Sequence, residues 1–248
     1  MNIPPPAHTS IWILLNMIML GGLVALGLNQ SFSRMTIPPG ARRRWRAIVI
    51  ISLFGWLAAR MVLGQSGIVA PARLIPLSFL VSYSAVALAL VFSPVFRQAV
   101  VSIPQEKLIG VHTVRVAGFV FLAMLDMGLL PPQFALPAGY GDIIVALTAP
   151  LVVHALNRNN PYARKLAVAW NLLGLLDFTF ALATGMVFIG PHVRKLALAG
   201  HSIAYLDYVL MIPGFAVPIL ILAHLISLQN LRTKLRSPVF RSAAGELV

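Results

Sequence analysis

Seven long apolar stretches, separated by short polar segments, dominate the pattern of this chain. A helix of about 20 mainly apolar residues is long enough to cross a bilayer. The stretches are Ile11–Leu28, Ala47–Leu63, Leu74–Phe96, Ile109–Leu130, Tyr140–Leu156, Leu166–Ile189 and Ile203–Leu228. The pattern therefore predicts an all-α bundle of seven transmembrane helices over residues 1–231, followed by a short basic cytoplasmic tail at 232–248.

The composition supports a membrane protein. Of the 248 residues, 59% are hydrophobic and only 10% are charged, whereas a soluble domain carries about 25% charged residues. So few charged side chains cannot cover a surface that faces water. The chain also has no cysteine, which excludes disulfides, thiolate metal sites and cysteine nucleophiles.

The net charge of +13 is explained by membrane topology rather than by nucleic-acid binding. With seven crossings, most Lys and Arg residues fall on the side that holds the first loop and the C-terminal tail. Only Arg60, Arg73, Arg194 and Lys195 fall on the other side. Because cytoplasmic loops carry the basic excess, we expect the N-terminus outside, the C-terminus inside, and contacts between the basic side and anionic lipid headgroups.

Each of the last four predicted helices contains one aspartate: Asp126, Asp142, Asp177 and Asp207. An ionisable group inside a membrane is costly and usually faces the bundle interior or a water-filled cavity. In the predicted topology Asp177 lies near the midpoint of its helix, and the other three lie toward the outside. We expect those three to form an acidic vestibule on the outer side that attracts cations.

Arg115, in the fourth predicted helix, lies at a depth comparable to that of Asp177. These two residues are the predicted central pair, either a functional gate or an ion pair that only fixes helix packing. In a regular helix Arg115 and Asp126 would share a face, about 16 Å apart. In the sixth predicted helix Trp170 lies on the same stripe as Asp177, with Asn171 beside it.

Asp142 follows a segment rich in proline and glycine, which predicts a turn before the fifth helix. Asp142 then falls in the first turn of that helix, where a carboxylate accepts hydrogen bonds from free N–H groups and complements the helix dipole. Further along, Pro150 and Pro213 predict interruptions of the fifth and seventh helices. Interrupted helices often mark the binding site in transporters, although a simple kink is the commoner outcome.

Histidines lie toward the predicted inner side at His112, His154 and His224. A b-type haem held by two of them is a low-ranking alternative, and interface contacts are the simpler interpretation. The sequence otherwise predicts no cofactor, no metal site and no catalytic residue, so an enzyme is the less favoured class.

Two segments of the second half carry a resemblance: "FALPAGYGDIIVALTAPLV" from Phe134, and "AWNLLGLLDF" at Ala169–Phe178. Together they resemble a family of uncharacterised bacterial multi-pass membrane proteins without an assigned activity, over about Val114–Leu231. The resemblance implies a bacterial cytoplasmic membrane and supplies no reaction.

The sequence favours a transport or permeation protein with a polar site among predicted helices four to seven. Protons, cations and small polar solutes are the candidate substrates. The site residues are Arg115, Asp126, Asp142, Trp170, Asn171, Asp177 and Asp207. The alternative is a structural or accessory subunit of a membrane complex, with a membrane protein partner, in which the buried polar groups serve packing alone.

Overall fold

The computed structural model describes residues 7–65, 75–158 and 160–233, and all regular structure in those ranges is helical. The elements are α1 (Ala7–Arg34), α2 (Pro39–Gln65), α3 (Ile75–Phe92), α4 (Pro94–Val101), α5 (Gln105–Gly110), a 3₁₀ segment (Val111–Gly118), α6 (Phe119–Asp126), α7 (Pro132–Asn157), α8 (Ala163–Leu198), α9 (Tyr205–Met211), a π segment (Ile212–Ala216) and α10 (Val217–Thr233). The predicted tail from residue 234 onward, and Arg73, lie outside the described residues.

Six helical stretches in those ranges are long and apolar enough to cross a membrane, or seven if α3 and α4 form one bent span. The expectation of an all-α protein with several membrane-length helices is confirmed. The third predicted helix, Leu74–Phe96, differs because the chain bends by 101° between Phe92 and Pro94. Ser93 lies at that bend with an extended backbone and accepts a hydrogen bond from the Phe96 N–H at 3.2 Å. The residue before a proline avoids the helical conformation, so α3 ends there.

The fourth predicted helix is not a regular α-helix, because a 3₁₀ segment separates α5 from α6. A 3₁₀ helix has 3.0 residues per turn instead of 3.6, and the angular offset between residues before and after it changes. The expected common face of Arg115 and Asp126 is therefore wrong. Asp126 is exposed at the last residue of α6, and Gly128, with φ of 71°, follows in the turn.

The start of the fifth predicted helix was also placed wrongly. The segment from Pro132 onward was expected to be a turn, whereas α7 begins at Pro132 and continues through Pro137 and Pro150. Proline fits the first position of a helix because that residue needs no N–H partner. Asp142 consequently lies about ten residues into α7, about 15 Å from its start, and cannot cap the helix.

Helix α8 extends further than predicted and includes Arg194 and Lys195, which were expected in a loop. Its 36 residues correspond to about 54 Å, which exceeds the hydrocarbon thickness of about 30 Å. Part of α8 therefore projects beyond the apolar layer of a bilayer that it crosses.

The predicted interruption of the seventh helix at Pro213 is present as the π segment between α9 and α10. Arg60 of α2 packs against this segment. Its guanidinium lies where a Cβ on Gly214 would be, and its Nη2 donates a hydrogen bond to the Leu210 carbonyl at 3.1 Å. Arg60 was expected at the end of a helix near the outer loop, but only 6% of it is exposed.

The largest apolar cluster joins α1, α6 and the π segment through fully buried side chains such as Leu20, Met124 and Phe215. Helix α7 packs against both α8 and the 3₁₀ segment, and α10 packs against α8. The 3₁₀ segment that carries Arg115 packs mainly against α7 and α1, and it also contacts α10.

Candidate functional site

The candidate site is centred on Arg115, whose guanidinium contacts two carboxylates from two helices. Its Nε donates to Oδ1 of Asp142 in α7 at 2.6 Å, and its Nη2 donates to Oδ2 of Asp177 in α8. We call these three residues the Arg115 cluster. Among the described residues these are the two ion pairs that form, and Arg115 makes both.

The cluster is buried unevenly. The side chain of Arg115 is 1% exposed, whereas those of Asp142 and Asp177 are 15% and 16% exposed. The guanidinium carbon also lies 3.9 Å from the ring centroid of Phe178, a cation–π arrangement. The cation is therefore enclosed, and the carboxylates keep a path to the surroundings.

Glycines make room for both carboxylates. A Cβ on Gly141 would overlap the Asp177 carboxylate, and a Cβ on Gly118 would lie 2.5 Å from the Cβ of Asp142. A side chain at either position would push α7 away from its neighbour. The Gly-x-Gly-Asp sequence that ends at Asp142 thus serves close approach of three helical segments rather than a turn.

A chain of hydrogen bonds leads away from the cluster. His224 lies 3.4 Å from Nη1 of Arg115 through Nε2, and 2.9 Å from Oδ1 of Asn171 through Nδ1. Asn171 donates to Ser227 at 2.8 Å, and Gln105 donates to the same hydroxyl at 2.5 Å. We call His224, Asn171, Ser227 and Gln105 the polar chain.

The hydrogen-bond partners of His224 show which of its ring nitrogens carries the hydrogen. Arginine has no acceptor, so Nε2 of His224 accepts and Nδ1 carries the hydrogen that Asn171 Oδ1 accepts. His224 is then neutral. Asn171 has no proton to release, so the polar chain orients His224 without offering a continuous route for protons.

Aromatic rings close this side of the site. The rings of His112 and His224 stack with centroids 3.8 Å apart, and Trp170 lies 5.2 Å from each of them. Trp170 also donates from Nε1 to Oγ1 of Thr148 at 3.0 Å. His112 and His224 are both 0% exposed, and together with Trp170 they separate the cluster from the end of the bundle where Gln105 lies.

This stacking does not fit the haem alternative. A haem held by two histidines lies between imidazoles that point at its iron, and these rings lie face to face in contact. His154, the third candidate, is exposed on α7. Within the described ranges no group of three His, Cys, Asp or Glu side chains could hold a metal ion.

A cavity of about 720 Å³ reaches the cluster from the opposite direction. Arg115 and Asp142 line its inner end, while Arg194 near the end of α8 and Ile203 before α9 line its outer part. The polar chain instead leads toward the start of α8, where Arg164 donates to the Leu231 carbonyl. The cluster thus separates a cavity on one side from a closed, aromatic-lined region on the other.

The seven predicted site residues do not form one group. Arg115, Asp142 and Asp177 are in direct contact, and Trp170 and Asn171 lie in the surrounding layer. Asp126 is exposed, and Asp207 is half-buried in the first turn of α9. In the described parts of the chain neither residue forms an ion pair. Of the three aspartates in the expected vestibule, Asp142 turns inward to Arg115, and the vestibule stays a prediction.

Sequence reasoning missed five residues of the site: Gln105, His112, Phe178, His224 and Ser227. His224 was assigned to the membrane interface, yet it lies against Gly174, where a Cβ would overlap its ring. The signal was available in "AWNLLGLLDF", since Asn171, Gly174 and Asp177 follow at three-residue spacing and share one helix face. The partner helix could not be identified from that pattern.

The charges of the cluster do not balance. With both carboxylates ionised, one guanidinium leaves the cluster with a net charge of −1. A buried charge without a partner of opposite sign is costly, because it has lost its contacts with water. One proton on a carboxylate, or one bound monovalent cation, restores neutrality.

A family model described as a Domain of unknown function (DUF8737) matches residues 73–232, well over half of the chain. This range contains every residue of the Arg115 cluster and of the polar chain. No curated protein matches the chain, and no solved structure matches it.

Proposed function

Since the chain belongs to the DUF8737 family, whose function is unknown, we propose from the site itself that this protein moves protons or monovalent cations across a membrane. The bacterial cytoplasmic membrane is part of the same proposal and rests on the sequence resemblance and on the basic excess of the predicted inner side. The main support for the proposal is the unbalanced charge of the Arg115 cluster, which lies at the end of a cavity.

Three features support the movement of a proton or a cation through this site. Arg115 lies near the middle of the Gln105–Asp126 stretch, so the cluster is far from both surfaces. Asp142 and Asp177 are partly exposed, which lets a proton or a cation reach them. The stack of His112, His224 and Trp170 closes the other side, as alternating access requires of a site open to one side at a time.

The test is flux into liposomes. The purified protein is reconstituted with a pH-sensitive dye inside, and a potassium diffusion potential drives proton entry; parallel samples measure Na⁺ and K⁺. We expect the parent to exceed empty liposomes and Asp177→Asn to abolish the difference. Asp126→Asn is the matched control, because it makes the same chemical change at an exposed residue outside the cluster. Equal flux from parent and empty liposomes for all three ions contradicts the proposal.

The second candidate is a structural or accessory subunit. It is supported by the same contacts, since Arg115 joins the 3₁₀ segment to α7 and α8, and polar groups between helices hold membrane bundles together. A partner that co-purifies in stoichiometric amount, with no ion flux, favours this candidate.

A further inference from the structure

The cavity at the Arg115 cluster has two properties that point to a class of substrate. Its volume of about 720 Å³ lies in the range of sites for drug-sized molecules, about 300 to 1,000 Å³. Its walls are mainly apolar and include Phe121, Phe134 and Phe178. A divalent metal ion, which holds its water tightly, or a sugar would lose its water contacts against such walls without replacing them.

The neutral, positive and negative groups of the cavity lie in different parts of its wall. Asn16 and Tyr83 are neutral at the wall, and Asn16 already donates to the Val114 carbonyl at 2.8 Å. Arg194 is exposed at the far end, where water screens its charge. The inner end holds the net negative cluster, so it attracts a single positive charge.

We propose that this cavity binds a monovalent organic cation with an apolar body. The inference rests on the proposed function and names its substrate class. The apolar body packs against the aromatic walls, and the positive charge lies next to Asp142. Aromatic faces also attract cations, which favours this class over a neutral molecule of equal size.

Charge balance couples the cation to a proton. When the cluster carries one proton on Asp142 or Asp177, its charge is zero, and binding one cation releases that proton. One bound cation therefore replaces one proton at the Arg115 cluster, and the net charge of the cluster with its ligand stays zero. The charged and titratable groups that face the pair are Arg115 and His112 on the 3₁₀ segment, His224 on α10, and Tyr83 and Arg194 at the cavity wall.

Tetraphenylphosphonium is a suitable probe because it combines four apolar rings with one positive charge. Binding to the purified full-length protein in detergent is measured by calorimetry in two buffers of different ionisation enthalpy. We expect about one proton released per bound cation, and a Kd that rises about tenfold for each pH unit below the titration of the cluster. Neutral triphenylphosphine oxide should bind at least tenfold more weakly.

Variants separate charge from shape. Asp142→Asn should weaken binding at least tenfold and abolish proton release, while Asp126→Asn should leave both unchanged. Ala181→Leu fills the cavity without touching a charged group and should also weaken binding at least tenfold. Ala183→Leu, the same change at an exposed neighbour on α8, should bind as the parent does.

The outcomes also separate this inference from the proposed function. Ion flux that depends on Asp177, with no binding of tetraphenylphosphonium, overturns the organic cation and leaves the flux proposal standing. Binding with proton release but without flux supports the cation site and contradicts transport. Equal binding of the cation and the neutral oxide, or equal effects of Ala181→Leu and Ala183→Leu, overturns the inference.

Discussion

Two of the arginines that the structure describes are buried, Arg60 and Arg115, and their surroundings are opposite. Arg115 contacts two carboxylates and an imidazole, whereas Arg60 donates to a single backbone carbonyl, that of Leu210. Within the described residues no carboxylate lies within ion-pair distance of Arg60. Both guanidiniums are tightly packed, Arg60 over Gly214 and Arg115 over Phe178.

The two arginines differ in how far their contacts balance their charge. Arg60 donates one hydrogen bond to the Leu210 carbonyl, just before the π segment. Arg115 has more negative charge around it than it can balance. One carboxylate would balance Arg115, so the second carboxylate is what distinguishes this site from that of Arg60.

The largest contrast is expected from removing each guanidinium. Arg115→Met leaves Asp142 and Asp177 facing each other without a cation and should cost about 3–5 kcal/mol. Arg60→Met removes one hydrogen bond together with a buried charge and should change stability by less than about 1.5 kcal/mol. Thermal unfolding in detergent measures both. Similar losses for the two variants would show that the arginines have the same role.

A smaller loss of stability is expected from substituting the glycines that let two helices lie close together. The Cβ of Gly141→Ala would overlap the Asp177 carboxylate, so α7 and α8 must move apart at a cost of about 1–3 kcal/mol. Gly55→Ala in α2 is the matched control because no atom lies within 4 Å of its added Cβ. The control should gain up to about 1 kcal/mol of helix stability. Equal melting temperatures for the two variants would mean that the close contact at Gly141 is not required.

The sequence was sufficient for the general fold and for part of the site. Apolar length predicts membrane-length helices because it depends on local composition alone. The pairing of Arg115 with Asp177 was predicted because both residues lie at a similar depth in the predicted membrane. That depth follows from the residue number along each predicted helix. Whether either residue acts in transport stays a prediction.

Other features depend on backbone geometry that the residue pattern does not reveal. The 3₁₀ segment rotates Asp126 away from Arg115, and nothing in "VHTVRVAG" distinguishes it from an α-helix. Pro132 and Pro137 were interpreted as turn residues. Pro132 is instead the first residue of α7, a position that suits proline, and the helix continues through Pro137. The fifth helix was therefore predicted to begin at Tyr140 instead of Pro132, which placed Asp142 in its first turn.

The Arg115 cluster holds one negative charge more than Arg115 balances, and single and double substitutions of its carboxylates test this excess. Asp142→Asn, Asp177→Asn and the double variant are compared by thermal unfolding in detergent. We predict that each single change costs less than about 1 kcal/mol, because one carboxylate still balances Arg115. The double change should cost about 3–5 kcal/mol because it leaves the guanidinium buried without a carboxylate. If either single change costs as much as the double, both carboxylates are required for packing, and the account is contradicted in favour of a structural role.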